Sequence, residues 1–295
     1  MGCTSPYLVA EMSTCFTSGG AVPVFAAIDA RTYNLDPAAV EAALTERTKA
    51  IVAVDIYGYP CELDPLRAIA EKHGLAFIQD SCEALGAEYK GAQLGTHGPP
   101  AVGGGWPNEQ RAAGGGGSGA TQSGGAGGRM RSRLNQGRGD AGGWLEHVGL
   151  GFNYRLDDVS AAIGIGQVEK LDEILRLRSV VAERYTELLA GIDGVELPCA
   201  DDAEHKRSWF VYVVALPDNA ARERVIGHFE RERIGFNRYL PSIHLQPYMR
   251  ERYGFREGLC PVSEDLSSRT LALPFFTALE RDAQERVAEA LAAAL

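Results

Sequence analysis

The sequence predicts an α/β protein with a parallel sheet, and the prediction rests on the pattern of residues 22–95. Short apolar runs alternate there with helical patterns, and both helical patterns carry an Asp-Pro pair near their start. Apolar runs between amphipathic helices are typical of parallel strands that helices cover on both faces. We therefore expect a covered parallel sheet in the N-terminal half of the chain.

Composition sets the class of protein and of ligand. The 295 residues are 45% hydrophobic and 23% charged, which is ordinary for a globular protein long enough for two lobes. The net charge of −10 gives no reason to expect a nucleic-acid partner, and no apolar run is long enough to predict a membrane span. The six cysteines are scattered without a C-x-x-C pair, which predicts free thiols in the cytoplasm and no metal site. A small-molecule ligand is the default expectation.

Each element of the N-terminal half follows from a local pattern. Apolar runs predict strands over 22–29, 49–58 and 75–80, and a hairpin over 86–95. The first helix, 35–48, has Asp36 as its N-cap and Pro37 at its first position, and the second, 62–74, repeats this with Asp64 and Pro65. Gly74 is the expected end of the second helix.

The C-terminal half predicts a smaller α+β lobe. A long helical pattern covers 156–192, with a possible bend at Gly164 and Gly166. A strand over 208–216, a helix over 220–233, an extended segment over 270–276 and a helix over 280–295 follow. The change of pattern predicts a domain boundary near residue 190, so that the domains are 1–190 and 191–295.

Asp80 is the first candidate binding residue. It ends the apolar run "LAFIQD", and open α/β sheets bind ligands at the carboxyl ends of their strands. A carboxylate there would suit a ligand with a protonated ring nitrogen, such as pyridoxal phosphate (PLP). The alternative is an aspartate that only caps the following turn.

Two further positions are candidates on local grounds. In "GFNYRLDD", Asn153 and Arg155 precede a helix, where exposed N–H groups and a guanidinium can hold an anion. The alternative is that Asn153 only shapes a turn. His244 in "YLPSIHLQP" lies among aromatic and proline neighbours that suggest a shaped loop at a substrate site, and the alternative there is a structural histidine.

Three long stretches carry a family resemblance. "PVFAAIDARTYNLDPAAVEAALTERTKAIVAVDIYGYPCELDPLRAIAEKHGLAFIQDSCEALGAEYKGAQLG", "GFNYRLDDVSAAIGIGQVEKLDE" and "SWFVYVV…IHLQPYMRERYGFREG…TLALPFF" resemble, in this order, the DegT/DnrJ/StrS family of PLP-dependent sugar aminotransferases. The resemblance implies the aspartate aminotransferase-like fold (fold type I), with a large parallel or mixed-sheet domain, a small C-terminal α+β domain and active sites at a homodimer interface. The implied reaction is amino transfer from glutamate or glutamine to a nucleotide-linked keto sugar.

The resemblance also assigns residues. Asp80 matches the partner of the PLP ring nitrogen, and Glu83 falls where the family often has glutamine near the ring oxygen. Asn153 matches the residue that reaches the PLP phosphate of the neighbouring subunit, and Arg155 belongs to the same motif. The family's N-terminal portion, including the turn that holds the PLP phosphate, has no counterpart in this sequence.

The glycine-rich stretch 103–128 departs from the family pattern. "WPNEQRAAGGGG" lies in register with the family's "SFYPNKQ-TTGEGG", which places Glu109 at the Schiff-base lysine and Gly104 at a phosphate-binding serine. No lysine lies between Lys90 and Lys170, although "RSRLNQGR" still matches a family-like "RSLRNQGR". A carboxylate cannot form an imine.

This departure leaves three interpretations open. The chain is an active aminotransferase, a catalytically inactive family member (either a degraded gene product or a non-catalytic dimer partner), or a sugar dehydratase of the family. The dehydratases have histidine at the lysine position, which Glu109 does not match.

Overall fold

A computed structural model describes residues 1–7, 15–104, 116–139 and 146–295. The N-terminal half is built on a six-stranded sheet of order β2-β1-β3-β4-β7-β8. The strands are β1 (Gly2–Thr4), β2 (Pro23–Phe25), β3 (Ala50–Val54), β4 (Ala76–Asp80), β7 (Ala101–Gly104) and β8 (Gly117–Ala120).

The sheet is mixed because one edge strand runs against the others. Strands β1, β2, β3, β4 and β7 pair in parallel, and β8 pairs antiparallel with β7. The predicted parallel sheet is therefore confirmed for the strands between the helices. Strand β8 has the sequence GSGA and all four residues are exposed, so it contributes backbone hydrogen bonds and little apolar burial.

The first helix of the sheet domain, α1 (Pro37–Ala43), confirms its predicted start. The Asp36 side chain accepts a hydrogen bond from the Ala38 backbone N–H, and Pro37 occupies the first turn. The helix ends five residues before the predicted end at 48. Its continuation is a turn in which the Thr48 hydroxyl oxygen accepts from the Thr45 N–H at 3.0 Å, and such local bonds compete with helix formation.

The second helix, α2 (Leu63–Lys72), begins two residues before its predicted start, and its N-cap is Glu62 instead of Asp64. Asp64 and Pro65 lie within its first turn, where proline is tolerated because the N–H groups have no helical partner. Its predicted end is confirmed. Gly74 has a φ of +63°, and the N–H of Leu75 donates to the Ala70 carbonyl, which together cap the helix.

The predicted hairpin over 86–95 is present as β5 (Glu88–Tyr89) and β6 (Ala92–Gln93). Its turn is left-handed at Lys90 and Gly91, with φ values of 51° and 77°. Strand β9 (His205–Lys206) adds to the other side of β5 and carries the chain out of the small lobe back onto the large one.

The long helical pattern is two helices. Helix α4 (Asp158–Val168) and helix α5 (Leu171–Leu189) are separated by Glu169 and Lys170, three residues beyond the predicted bend at Gly166. Asp172 and Glu173 in the first turn of α5 favour a new helix start there, because carboxylates interact well with a helix N-terminus.

The C-terminal lobe packs against the second half of α5. Its antiparallel pair is β10 (Tyr212–Ala215) and β11 (Thr270–Leu273), and β10 is shorter than the predicted strand over 208–216. Its helices are α6 (Asn219–Arg231), α7 (Pro247–Tyr253), α8 (Pro261–Arg269) and α9 (Arg281–Ala294). One apolar core joins Val181–Leu189 of α5 to α6, α9 and both strands. The boundary at residue 190 stays a prediction.

Buried tyrosine hydroxyls link the two lobes. The Tyr57 hydroxyl donates to the Tyr7 hydroxyl at 2.9 Å, and the Tyr7 hydroxyl lies 3.0 Å from the Thr270 hydroxyl at the start of β11. In the described residues, no helix is both long and apolar enough to cross a bilayer.

Helix α3 (Gly124–Leu134) follows β8 and carries little apolar surface. Its sequence GGAGGRMRSRL holds four glycines, and none of its residues is buried. Its N-cap is Ser123, whose hydroxyl accepts from the Ala126 N–H. The helix therefore depends on its cap and on residues 147–154, the segment that packs across its C-terminal end.

Candidate active site

Asp80 lies at the carboxyl end of β4, between β3 and β7. Its backbone pairs with Val54 on one side and Val102 on the other, and the residue is 3% exposed. One carboxylate oxygen accepts a hydrogen bond from the Cys82 N–H at 3.1 Å. Burial raises the pKa of this carboxyl above its ordinary value, and the bond from Cys82 offsets only part of the effect. Asp80 is therefore a buried carboxylate with capacity for a cationic partner.

Asp55, at the end of the neighbouring strand, is a second buried carboxylate that our sequence analysis did not single out. It accepts hydrogen bonds from the Cys61 N–H at 2.9 Å, the Gln79 side-chain amide at 2.9 Å and the Ser81 hydroxyl at 2.7 Å. Burial is the largest influence on its pKa, which is raised. Because Gln79 and Ser81 flank Asp80, Asp55 fixes the end of β4 on both sides of the candidate residue.

A signal for Asp55 does exist in the sequence. It follows the apolar run "KAIVAV" as Asp80 follows "LAFIQ", and both residues end adjacent parallel strands. The strand pattern alone does not distinguish them. Only the structure shows that three different residues donate to Asp55, whereas in the described ranges Cys82 alone is found to donate to Asp80.

Glu83 lies just beyond β4 and holds a turn of the chain. One of its carboxylate oxygens accepts from the Tyr57 N–H at 2.9 Å. Tyr57 is left-handed, with φ 55° and ψ 23°, and Gly58 follows with φ +84°. A Cβ on Gly58 would lie 2.7 Å from the Ser208 carbonyl oxygen, so this close approach requires glycine. Glu83 thus shares the sheet edge with Asp80, and its predicted proximity to a cofactor ring stays a prediction.

Asn153 and Arg155 lie on a different, exposed segment. Asn153 forms an isolated antiparallel bridge with Asn135, and the Arg155 guanidinium donates to the Asn135 side-chain oxygen at 2.5 Å. No hydrogen bond joins either residue to Asp80 or Glu83 in the described part of the chain. Asp157 caps α4 through the Ser160 N–H, so the turn-forming role of this motif is present.

The segment around Asn153 exposes an unusual amount of apolar surface. Leu150 is 81% exposed, Tyr154 72% and Val159 71%. Nine of the fifteen large apolar side chains that are exposed in the described ranges lie between residues 148 and 168. Such a concentration is typical of a surface that another protein covers.

His244 lies inside the C-terminal lobe. It is 0% exposed, its Nε2 lies 2.7 Å from a carboxylate oxygen of Glu264, and its ring centroid lies 5.9 Å from that of Phe25. Glu264 also accepts from the Cys260 and Gly258 N–H groups. This geometry favours the structural interpretation of His244 over direct contact with a substrate.

Glu109 lies outside the described residues, and so do its neighbours in "WPNEQ". The nearest lysine before it along the chain, Lys90, is engaged on the hairpin turn. Its Nζ donates to Asp64 at 2.7 Å and lies 3.5 Å from Glu204. The bond to Asp64 raises the pKa of the Lys90 ammonium, which keeps it protonated and poorly nucleophilic.

Comparison with known proteins places this geometry in a family. The chain is 30% identical over 98% of its length to the spore coat polysaccharide biosynthesis protein SpsC of Bacillus subtilis, covering 77% of it. It is 33% identical over 93% of its length to the erythromycin biosynthesis sensory transduction protein EryC1 of Saccharopolyspora erythraea, covering 73% of it. The fold matches the structure of DesV of S. venezuelae, solved in complex with a ketimine intermediate, with a TM-score of 0.92.

That structural match is 28% identical and covers 99% of this chain and 77% of the other. The predicted PLP-dependent transferase fold is thereby confirmed. A family profile also matches residues 10–292. The chain therefore belongs to the DegT/DnrJ/EryC1/StrS aminotransferase family.

Proposed function

We propose that this chain is a subunit of a cytoplasmic PLP-dependent aminotransferase that acts on a nucleotide-linked keto sugar, with glutamate or glutamine as the amino donor. The observation that carries the proposal is the buried carboxylate of Asp80 at the carboxyl end of β4. Relatives named for polysaccharide and erythromycin biosynthesis support a sugar substrate.

The surroundings of Asp80 fit a protonated ring nitrogen. Among the described residues, the hydrogen bonds found for its carboxylate come from Cys82, through the backbone N–H and the side chain. A buried carboxylate with a raised pKa gains most from a cationic partner, since the partner offsets the cost of desolvation. When bound, PLP supplies an electron sink, and a carboxylate beside its ring nitrogen maintains that property.

Asp55 has a positioning role in this arrangement. Its bonds to Gln79 and Ser81 hold the backbone on both sides of Asp80. A carboxylate that must meet a rigid ring needs such support, because a displacement of about 1 Å weakens a directional hydrogen bond substantially.

A second copy of the chain would complete the site. Asn153 and Arg155 are exposed on the same surface segment as the apolar side chains of residues 148–168. If that surface is covered by a second copy, Asn153 can reach the cofactor phosphate of the neighbouring subunit, as the family resemblance implies. The homodimer is therefore part of the proposal.

A second candidate function is a non-catalytic subunit, and Glu109 is the observation that favours it. The sequence has five lysines, and in the described structure Lys72 pairs with Glu41, Lys90 with Asp64 and Lys206 with Glu88. Amino transfer through PLP needs a lysine that can hold the cofactor and move a proton. A chain without one could still lend Asn153 to a partner subunit.

One experiment separates the two functions. The purified protein and its Glu109→Lys variant are incubated with PLP, an amino donor and a nucleotide-linked keto sugar, and the amino sugar is quantified. Borohydride reduction and mass spectrometry then locate any lysine-bound cofactor, which would otherwise absorb near ~420 nm. Turnover by the parent protein supports the aminotransferase, whereas turnover by the variant alone supports the non-catalytic subunit.

Asp80→Ala, made in the parent protein and in Glu109→Lys, is the control for both measurements. Loss of cofactor binding in this variant, with unchanged secondary structure, is expected because the ring would lose its charged partner. If Asp80→Ala binds PLP as well as the parent does, the observation on which the proposal rests is wrong.

A further inference from the structure

A cavity of about 350 Å³ lies away from the sheet edge, between helix α3 and the segment that packs across it. Three arginines contribute to its wall. Its lining comprises Gly128, Arg129, Ser132, Arg133, Arg138, Gly139, Val148, Gly149 and Leu150. None of these described lining residues is a carboxylate, and three of them are arginines in a chain of net charge −10.

The arginines reach the cavity from two directions. Arg129 and Arg133 are four residues apart on α3 and therefore share one face of the helix. Arg138 lies four residues beyond the end of the helix and forms an isolated bridge with His147 of the segment that packs across α3. No ion pair to any of the three is found within the described residues, and the Nε of Arg138 is buried there without a hydrogen-bond partner.

Backbone contacts fix the shape of this wall. The Val148 N–H donates to the Gly137 carbonyl at 2.8 Å, and the Phe152 N–H donates to the Arg133 carbonyl at 2.6 Å. Gly137 has a φ of +78°, and a Cβ on it would lie 1.9 Å from the Gly149 carbonyl oxygen. The chain around Gly137 and the chain around Gly149 thus approach as closely as glycine allows, and this contact fixes the backbone next to Arg138.

Stabilisation of the helix does not explain the cluster. Arginines near a helix C-terminus interact favourably with its dipole, which accounts for Arg131 and Arg133. It does not account for Arg138, which lies outside the helix. Like charges at positions four apart also destabilise a helix, so Arg129 and Arg133 gain nothing from each other unless an anion lies between them.

We propose that this cavity binds a phosphate-bearing anion, with the guanidinium groups of Arg129, Arg133 and Arg138 as donors. Guanidinium groups match phosphate oxygens with paired N–H donors, and the Ser132 hydroxyl adds a further donor. A volume of about 350 Å³ exceeds what one phosphate needs and fits a pyrophosphate group. The anion is either free pyrophosphate or the diphosphate of a nucleotide, and both present the same oxygens.

Isothermal titration calorimetry of the 295-residue chain at low salt tests the site with three probes: inorganic phosphate, inorganic pyrophosphate and uridine diphosphate. We expect saturable binding of one pyrophosphate per chain, and at least tenfold weaker binding in Arg133→Gln and in Arg138→Gln. Tighter binding of uridine diphosphate than of pyrophosphate identifies a nucleotide as the source, and equal binding identifies the free anion. Binding of phosphate as tight as that of pyrophosphate would contradict a diphosphate site.

Arg131→Gln is the matched control, because Arg131 lies on the same helix and does not line the cavity. We expect its affinity to stay within twofold of the parent. An equal loss of affinity in all three variants would show that only the net charge matters, and it would overturn the proposal. The absence of saturable binding at millimolar pyrophosphate would overturn it as well. Because pyrophosphate needs neither cofactor nor catalysis, this test is independent of the proposed aminotransferase activity.

Discussion

At the scale of single residues, two carboxylates at adjacent strand ends have opposite roles. Asp55 accepts hydrogen bonds from Cys61, Gln79 and Ser81, and these three partners offset part of the cost of its burial. Asp80 is nearly as buried, and within the described part of the chain the hydrogen bonds found for it come from Cys82 alone. One carboxylate therefore stabilises the sheet edge, whereas the other keeps its capacity for a ligand at a cost in stability.

The cost of Asp80 predicts how stability depends on pH. Its folded pKa is raised, so its contribution is most favourable below its unfolded pKa and is lost as the pH rises through the folded pKa. Asp80→Asn removes this titration. We therefore expect the free energy of unfolding of this variant, relative to that of the parent without cofactor, to increase as the pH rises from the ordinary carboxyl range towards neutrality. Chemical denaturation at several pH values measures it, and a difference that stays flat or falls would contradict the assignment.

The role of Asp55 predicts a large loss on truncation. Asp55→Ala leaves the Gln79 amide, the Ser81 hydroxyl and the Cys61 N–H without their acceptor in a buried site. We expect the free energy of unfolding at pH 7 to fall by about 2–4 kcal/mol. Asp36→Ala, which removes an exposed helix cap, is the control and should cost only about 1 kcal/mol. Urea titrations of both variants make the comparison, and equal losses would show that Asp55 has no special role.

At the scale of elements, the segment 147–154 depends on the glycine contact at the end of α3. Gly137→Ala would force a Cβ to within 1.9 Å of the Gly149 carbonyl oxygen and strain a φ of +78°. We expect the Val148 and Phe152 amides, which donate to Gly137 and Arg133, to lose protection from hydrogen exchange by at least about tenfold.

Gly128→Ala is the control for that variant. A Cβ there meets nothing within 4 Å, and alanine favours a helix interior over glycine by about 1 kcal/mol. We expect Gly128→Ala to raise protection in α3 and to leave the segment 147–154 unchanged. Similar exchange in both variants would mean that the close approach of Gly137 to Gly149 does not hold the segment.

Elements differ in how far the sequence alone could predict them. The cap at Asp36, the end at Gly74 and the Lys90-Gly91 hairpin were predictable, because each depends on a few neighbouring residues. The early end of α1 was not predictable, since it depends on the hydrogen bond from the Thr45 N–H to the Thr48 hydroxyl. The break between α4 and α5 was not predictable either, because a new helix begins within an unbroken periodic pattern.

The residues of the candidate site also differ in how far the sequence alone could predict them. Asp80 was predictable from its place after an apolar strand, and Glu83 and Asn153 only through the family resemblance. The bonds of Asp55 join residues 6 to 26 positions apart, and the arginine cavity joins α3 to a segment that follows it. The hydrophobic periodicity of the sequence cannot predict such contacts, because they depend on the tertiary path of the chain.

At the scale of the whole molecule, the apolar surface of residues 148–168 predicts self-association. Leu150 and Val159 are among its most exposed side chains, and Asn153 lies between them in sequence. We expect the parent protein to sediment at twice the mass of one chain. The double variant Leu150→Asp and Val159→Asp should raise the dimer dissociation constant at least about tenfold, because buried unpaired carboxylates oppose association.

Val22→Asp is the control, since Val22 is exposed and does not belong to this surface. It should leave the dissociation constant unchanged. The same measurement also bears on function, because only a dimer lets Asn153 serve a neighbouring site. If the double variant becomes monomeric and loses cofactor affinity together, the surface and the site are linked. A parent protein that is monomeric at micromolar concentration would contradict both the predicted dimer and the role of Asn153.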